Sequence, residues 1–290
     1  MKNYQKNIAI YLTMPSLIVT IVLLAIPVAY GVYLSFTNLD IIKRTNDFIG
    51  LKNYIKAFTD AALYMSIFRN IIYVVVVVTF NFLIGFFMAF ICYQNFIGNK
   101  ALRFIIILPM LLIPTAAAVL WRFLYNYDIG LINSLLTTMN LSRIGWLISP
   151  KFALLSVILT DIWAWTPWMF LILLAGMENL DKQVLEAANI DGASQFQVIK
   201  NIMLPIMSPI ITIAISLKAI ETFRTFDYLW VMTGGGPGSS SDITSTFIYK
   251  QAFKHLQYGY SSALSIIVMA ILAILTIFIV KNLIAKEGNL

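Results

Sequence analysis

Six apolar stretches dominate this sequence, near residues 10–36, 69–93, 103–125, 152–176, 206–230 and 260–281. An α-helix rises about 1.5 Å per residue, so roughly 20 apolar residues cross the hydrocarbon of a bilayer. Each stretch is long enough. In hydrocarbon the backbone must satisfy its own hydrogen bonds, which makes helices of such stretches. The expected fold is therefore all-α and integral to a membrane, with six spans in one transmembrane domain over 1–290 and both termini on one side. Composition agrees, because charged residues are 11% of the chain against about 25% in soluble domains. The net charge of +7 suits anionic lipid and does not by itself point to nucleic acid.

The start, MKNYQK, leads into apolar sequence from Ile8 to about Phe36. That run is longer than the roughly 7–15 residues of a signal-peptide core, and no small-residue cleavage site follows it. It is expected to be a retained first span, kinked at Pro15 and Pro27. Cys92 is the single cysteine, which excludes an internal disulfide and any multi-cysteine metal site. Set in an apolar span, it is expected to act as a small buried hydrophobe. His255 has no second ligand nearby, so no metal site is expected.

Between the fourth and fifth spans lies DKQVLEAANIDGASQFQVIKNIMLP, Asp181 to Pro205. Val184, Leu185, Ala188 and Ile190, then Phe196, Ile199 and Ile202, recur near helical spacing. Asp191-Gly192 is a turn dipeptide. Ser194-x-x-Gln197 is a capping-box pattern that starts a second helix. Pro205 suits the first turn of the next span, where its missing N–H costs little. The pattern predicts helix, glycine turn, helix at a membrane surface. Ala187 and Ala188 would let a facing backbone approach, and Glu186 would offer a charge. An ordinary amphipathic loop fits the periodicity equally well.

The spacing adds to this. Glu186-Ala187-Ala188, three residues, Gly192, nine residues, then Ile202-x-Leu204-Pro205 resembles the EAA loop of ABC-importer permeases at every position. In that family the loop, here 178–205, is the coupling element that sits in a cleft of a separate ATPase subunit. Outer segments resemble the carbohydrate branch of the same family: Gly50-Leu51-x-Asn53-Tyr54 followed by Asn70, Tyr127-Asp128-x-Gly130-x-x-Asn133, Thr233-x-Gly235-Gly236-Pro237, Tyr249-x-x-Ala252-Phe253 and Gly259-x-x-Ser262-Ala263-Leu264-Ser265. Tyr54, Phe58 and Leu63 are expected to lay a short helix on the membrane. The segment after span three is expected to turn into another surface helix. In span two, Gly85-x-x-x-Ala89 permits close helix packing.

Glycine-rich Gly234, Gly235, Gly236, Pro237 and Gly238 do not form a phosphate loop. No Gly-Lys-Ser/Thr follows, and no G-x-x-x-x-G-K-[ST] occurs anywhere, so the chain has no Walker-type ATPase of its own. Either a flexible turn reaching a binding protein or a plain solvent loop fits. Ionisable residues inside spans are functional-site candidates by default. Asp161 falls about 15 Å into span four, with Trp165 and Trp168 at i+4 and i+7 on its face. A carboxylate flanked by indole faces can hold a sugar, or it can serve an interhelical hydrogen bond. Lys218, Glu221 and Arg224 are spaced i, i+3, i+6 in span five. They can line the substrate pathway, or Glu221 can simply neutralise a neighbouring cation.

The resemblance implies the type I importer permease fold and one of two membrane subunits of a binding-protein-dependent importer. The implied substrate is a sugar, oligosaccharide or related polyol, moved by alternating access. Implied partners are a second homologous permease, two ATPase subunits, an extracytoplasmic solute-binding protein and membrane lipid. ATP and Mg would be bound in the ATPase subunits, with no cofactor and no catalysis in this chain. The implied location is the bacterial cytoplasmic membrane with both termini cytoplasmic. The distribution of Lys and Arg, including Lys2, Lys6 and Lys286 at the ends, does not orient the chain by itself, although the tight 94–103 link carries Lys100 and Arg103 without an acid. One rival is an ion-gradient-driven secondary transporter, which would show an internal repeat with broken helices; none is visible. A membrane enzyme would need a metal or serine-base motif, and none is present.

Overall fold

The structure is a computed structural model, and it describes residues 2–94 and 96–287. The side chains of Lys2, Lys6 and Lys286 lie outside the described residues. Helices account for the architecture, with only isolated bridges between extended residues in the described chain. Contacts divide the chain into two units, residues 1–61 with 248–273 and residues 62–247 with 274–290.

The first unit opens with α1, Lys2–Ser35, which runs unbroken as a helix through Pro15 and Pro27. From Thr13 to Ser35 its apolar side chains are almost all exposed, as a lipid-facing or partner-facing helix requires. At its end the chain doubles back through bridges Thr37–Phe48 and Asp40–Thr45. It then enters α2, Lys52–Ala57. Asn53 donates to the carbonyls of Ser35 and Thr37 at 2.9 and 2.7 Å. Tyr54 Oη lies 2.7 Å from Ser35 Oγ. These bonds fix α2 to the end of α1, at the height where the span ends. Phe58 is exposed, whereas Leu63 is buried, so the three residues expected on the membrane surface do not share one face. In the same unit Lys56 lies 3.8 Å above the Tyr260 ring, and Tyr260 donates to Asp60 at 2.6 Å. Desolvation lowers the Lys56 pKa from its ordinary value, against the pull of Asp60. A Cβ on Gly259 would come within 2.1 Å of the Thr37 carbonyl oxygen. Glycine is therefore required by this close approach.

The second unit begins with α3, Ala61–Tyr93, followed by α4, Asn99–Ile107. A 3-10 turn at Leu108–Leu111 leads to α5, Pro114–Leu124. The two limbs meet at 96°. Span three is thus broken where one straight helix is predicted. Pro109 and Pro114 lie on either side of extended Leu112 and Ile113, and a proline ring disfavours helix in the residue before it. Next come α6, Leu131–Thr138, and α7, Ala153–Glu178. The link between them is pinned by Asn133, which donates to Tyr127 and Ile144 carbonyls and accepts from Ile144 N and Trp146 Nε1. The helix α7 is the buried centre of the unit. At Gly85 a Cβ would stand 3.0 Å from Met169 Cγ and 3.1 Å from the Phe170 amide, so α3 and α7 touch there through backbone.

The chain continues as α8, Lys182–Ile190, and α9, Gln195–Val198. A π-helical turn at Ile199–Met203 joins α9 to α10, Leu204–Ile206. Then come α11, Ser208–Phe223, and α12, Asp227–Met232. The 195–206 and 208–223 limbs meet at 72°. Span five therefore starts at Ser208 with Pro209 in its first turn, and Pro205 closes the preceding helix. The span ends at Phe223, short of the predicted 230. Helices α13, Thr244–Phe253, and α14, Tyr258–Glu287, complete the chain. Three described helices are long and apolar enough to cross a membrane, or up to five if each bent pair is one span.

The corner before α6 yields a test. A Cβ on Gly130 would meet three backbone atoms at 2.3–2.7 Å, whereas one on Gly31 would meet nothing within 4 Å. Gly130→Ala is expected to cost about 2 kcal/mol or more, as overpacking against backbone does. Gly31→Ala is expected to be neutral or slightly stabilising. Thermal unfolding of both purified variants in detergent checks the contrast, and equal midpoints would contradict the close approach.

Candidate functional site

Two spans supply the charges that sequence analysis singles out, and the structure brings most of them to one point. Asp161 stands about a third of the way along the 26 residues of α7, short of its middle. It is fully buried. One carboxylate oxygen accepts from Tyr73 Oη of α3 at 2.6 Å, and the other from Lys218 Nζ of α11 at 3.2 Å. Lys218 also donates to Glu221 at 3.1 Å, one turn on along α11. Its ammonium lies 4.6 Å from the centroid of the Trp165 ring. Lys218 is 1% exposed, and the Glu221 side chain 37%. The network thus has an inner end, Asp161 with Tyr73, and an outer end, Glu221, that reaches open space.

Trp168 does not join this group. Trp165 packs against the apolar cluster that contains Ile162 and Tyr228, while Trp168 packs against the one that contains Leu173 and Met177. The same helical face is split along its length between two apolar clusters. Arg224 caps the end of α11, is exposed, and makes no ion pair among the described residues. The bridge from Asp161 to Lys218 spans 57 residues, and no local spacing announces it. Tyr73 is also new. Its signal was a polar group on the same stripe of span two as Asn70 and Asn81, buried residues at i−3 and i+8.

The 182–206 segment folds as two helices about Gly192. Asp181 caps α8 by accepting from the Gln183 amide at 2.9 Å. Gly192 has φ +77°, a left-handed value that ends a helix and suits glycine. Ala193 N donates to the Ala188 carbonyl at 3.0 Å across the turn. Ser194 and Gln197 form the capping box of α9. Met203 belongs to, and Leu185, Val198 and Ile199 pack against, the apolar cluster that contains Met177 near the end of α7 and Leu180 just beyond it. Glu186 and Ala187 face outward, but Ala188 is buried. Only the first alanine therefore offers close approach from outside, because the second sits one residue on and turns inward. Val184, Ile190 and Phe196 are 42%, 85% and 71% exposed, although their spacing matched an inner face. An open cavity of about 300 Å³ lies beside α8, lined by Phe90, Tyr93, Lys182, Leu185 and Met203 among others, with the exposed Glu186 at its edge. Ile202 and Leu204 are half-buried, Pro205 and Asp191 exposed.

The glycine-rich loop is not a free tether. Thr233 Oγ1 donates to the Leu229 carbonyl at 2.8 Å and lies 2.8 Å from Ser241 Oγ, which donates to the Gly236 carbonyl at 2.7 Å. Gly234, Gly235 and Gly238 take positive φ. Gly235 is buried, Gly236 and Pro237 are half-buried, and the exposed tip is Gly238-Ser239.

Removing Lys218 would leave Asp161 buried without its cation, a change that costs about 3–5 kcal/mol where a buried pair is broken. Lys218→Met is expected to lower the unfolding midpoint sharply. Adding Asp161→Asn is expected to recover much of the loss, since no charge is then stranded. A double-mutant cycle on thermal midpoints checks this, and strictly additive losses would mean the two residues do not interact.

Residues 81–287 match the family described as binding-protein-dependent transport system inner membrane component. A protein of Sinorhizobium fredii, named as a probable ABC transporter permease, is 34% identical over 91% of this chain and 86% of its own. The trehalose/maltose transport system permease of Thermococcus litoralis is 31% identical over 97% of this chain and 95% of its own. The fold is shared with a solved bacterial ABC transporter involved in import of the acidic polysaccharide alginate. That match has a TM-score of 0.85 at 20% identity and covers 97% of each chain. The chain belongs to the inner membrane components of binding-protein-dependent transport systems, the multi-pass permeases of ABC importers, which leave ATP hydrolysis to separate subunits.

Proposed function

We propose that this permease forms half of the translocation pathway for a sugar, oligosaccharide or related polyol. It does so in the cytoplasmic membrane of a bacterium, with both termini cytoplasmic and a second homologous permease beside it. The reading treats the whole chain as one transmembrane domain. Two ATPase subunits, which hold ATP and Mg, drive alternating access, and a solute-binding protein delivers the cargo. The observation that carries this is the 182–206 segment. It presents Glu186, Ala187, Ile190 and Phe196 outward on a frame fastened to the end of the central helix. An apolar patch of this kind on a loop marks a docking surface. Its EAA spacing identifies the ATPase as the partner. Force on α8 passes to Met177 and Leu180 and so to α7, the helix that holds Asp161. Family membership leaves the ion-gradient alternative without support.

At the other end of that path, Glu221 and Trp165 are the groups of the charged network placed to meet a substrate. Asp161 and Lys218 stand behind them and hold their positions. Indole faces cover the C–H faces of sugars, and a carboxylate accepts from hydroxyls. The exposed Gly238-Ser239 tip, beyond Pro237, is a place for the binding protein to rest. A relative named for trehalose/maltose transport supports a carbohydrate cargo.

Two measurements separate these roles. Gly192→Val forces a side chain into a left-handed turn, and Glu186→Lys reverses a charge on the docking face. Both variants are expected to insert normally but to lose ATPase subunit on purification, or to hydrolyse ATP without uptake. Wild-type retention, hydrolysis and uptake in both would overturn the coupling assignment. Glu221→Gln is expected to leave an assembled complex whose half-saturating substrate concentration rises. Unchanged transport kinetics would remove Glu221 from the pathway.

A further inference from the structure

Helix α4 begins beside the last turns of α3 and α7, at the end of the unit that carries α8. Its outward face is continuous. Phe104 and Ile105 are 63% and 61% exposed, and Leu108 and Leu111 in the following 3-10 turn are 43% and 66% exposed. Phe104, Leu108 and Leu111 follow Lys100 at i+4, i+8 and i+11 and lie on its side of the helix, with Ile105 at i+5 on the adjoining flank. At the polar end of this stripe is a cavity of about 460 Å³ lined by Phe96, Gly98, Asn99, Lys100, Arg103 and Glu178.

The two cations of the cavity are held differently. Arg103 is fixed, donating to Glu178 at 2.8 Å, to the Cys92 carbonyl at 3.0 Å and to Asn99 Oδ1 at 3.4 Å. Lys100 is exposed and makes no ion pair among the described residues. Two cations face one carboxylate, so the cavity keeps an unmatched positive charge. Phe96 and Ile97 beside it are 44% and 103% exposed. An anion with a long apolar body fits this shape. Its charge would meet Lys100 and Arg103 while its body lay along the Phe104–Leu111 stripe.

We propose that this cavity is a binding site for the phosphate headgroup of an anionic phospholipid, with the acyl chains along the outward face of α4. Basic pockets at the ends of spans bind such headgroups, and each cation near an anionic surface contributes ~1 kcal/mol. The site lies beside α7 just before α8, so a bound lipid would brace the base of the coupling segment. The proposal goes beyond the transport reading and does not depend on which substrate is carried.

The test is the lipid content of the complex purified in mild detergent, measured by mass spectrometry as phosphatidylglycerol against phosphatidylethanolamine per complex. Wild type is expected to be enriched in phosphatidylglycerol. Lys100→Gln is expected to reduce that enrichment about fivefold, the ratio that ~1 kcal/mol per cation gives. Lys100→Arg is expected to retain it. Lys100 is exposed, so folding should not confound the comparison, and size-exclusion elution verifies assembly. Excess inorganic phosphate should leave the lipid in place; displacement would indicate a soluble-anion site and overturn the lipid assignment. Unchanged enrichment in both Lys100→Gln and Lys100→Glu would overturn it too. So would loss of a partner chain from these variants at constant lipid content, because the face would then be a protein interface.

Discussion

One ammonium group sets the geometry of the second unit. Lys218 is placed in an interior built from Val, Ile, Leu, Met and aromatic side chains, where an unpaired charge costs several kcal/mol. Its partners therefore cannot be optional. It bonds Asp161 on α7 and Glu221 on α11 and lies over Trp165, while Tyr73 brings α3 to the same carboxylate. Three helices meet at one point whose polar groups are satisfied by one another. Apolar packing alone is non-directional, and would let these helices slide or rotate. The charged junction gives them a register.

From that junction the unit runs toward its two ends with different chemistry. Toward α8, α7 is packed by Met169, Phe170, Leu173 and Met177, and Gly85 and Gly176 let neighbouring groups come close. Toward the glycine-rich loop, Asn133, Thr233 and Ser241 fasten the connections with side-chain hydrogen bonds. Motif residues have structural work in both units: Asn133 and Gly130 close backbone corners in the second and Asn53 and Gly259 in the first, and none of the four needs a ligand to explain it.

Much of this was legible in the sequence because it is local. Apolar runs in a bilayer allow helix and little else, the Ser194–Gln197 capping box is a four-residue pattern, and Gly192 sits where a turn must reverse. What was not legible is relational. The 96° break in span three needs Leu112 and Ile113 to turn extended between Pro109 and Pro114, and hydropathy counting passes over that turn. Helical spacing grouped Val184, Ile190 and Phe196 with Leu185 and Ala188, yet two helices meeting at a turn cannot point all of them inward. Local pattern leaves Asp161 open between a ligand and an interhelical bond, because its partner Lys218 lies 57 residues away on another helix. Trp168 appeared on its face because spacing fixes direction around a helix but not which neighbours lie at each height. The motif resemblance adds to periodicity here, since the spacing from Glu186 to Pro205 resembles a family loop where periodicity alone fits any amphipathic segment.

The central claim is that the 182–206 segment, and not the opposite end, meets the ATPase. Cys92 is the one cysteine and is buried, so single cysteines placed elsewhere report cleanly. The direct measurement is crosslinking of Phe196→Cys and, separately, Ser239→Cys in the assembled transporter, with each product identified by mass spectrometry. The account predicts a crosslink from position 196 to the ATPase subunit and none from position 239. A crosslink to the ATPase from 239 but not from 196 would contradict it.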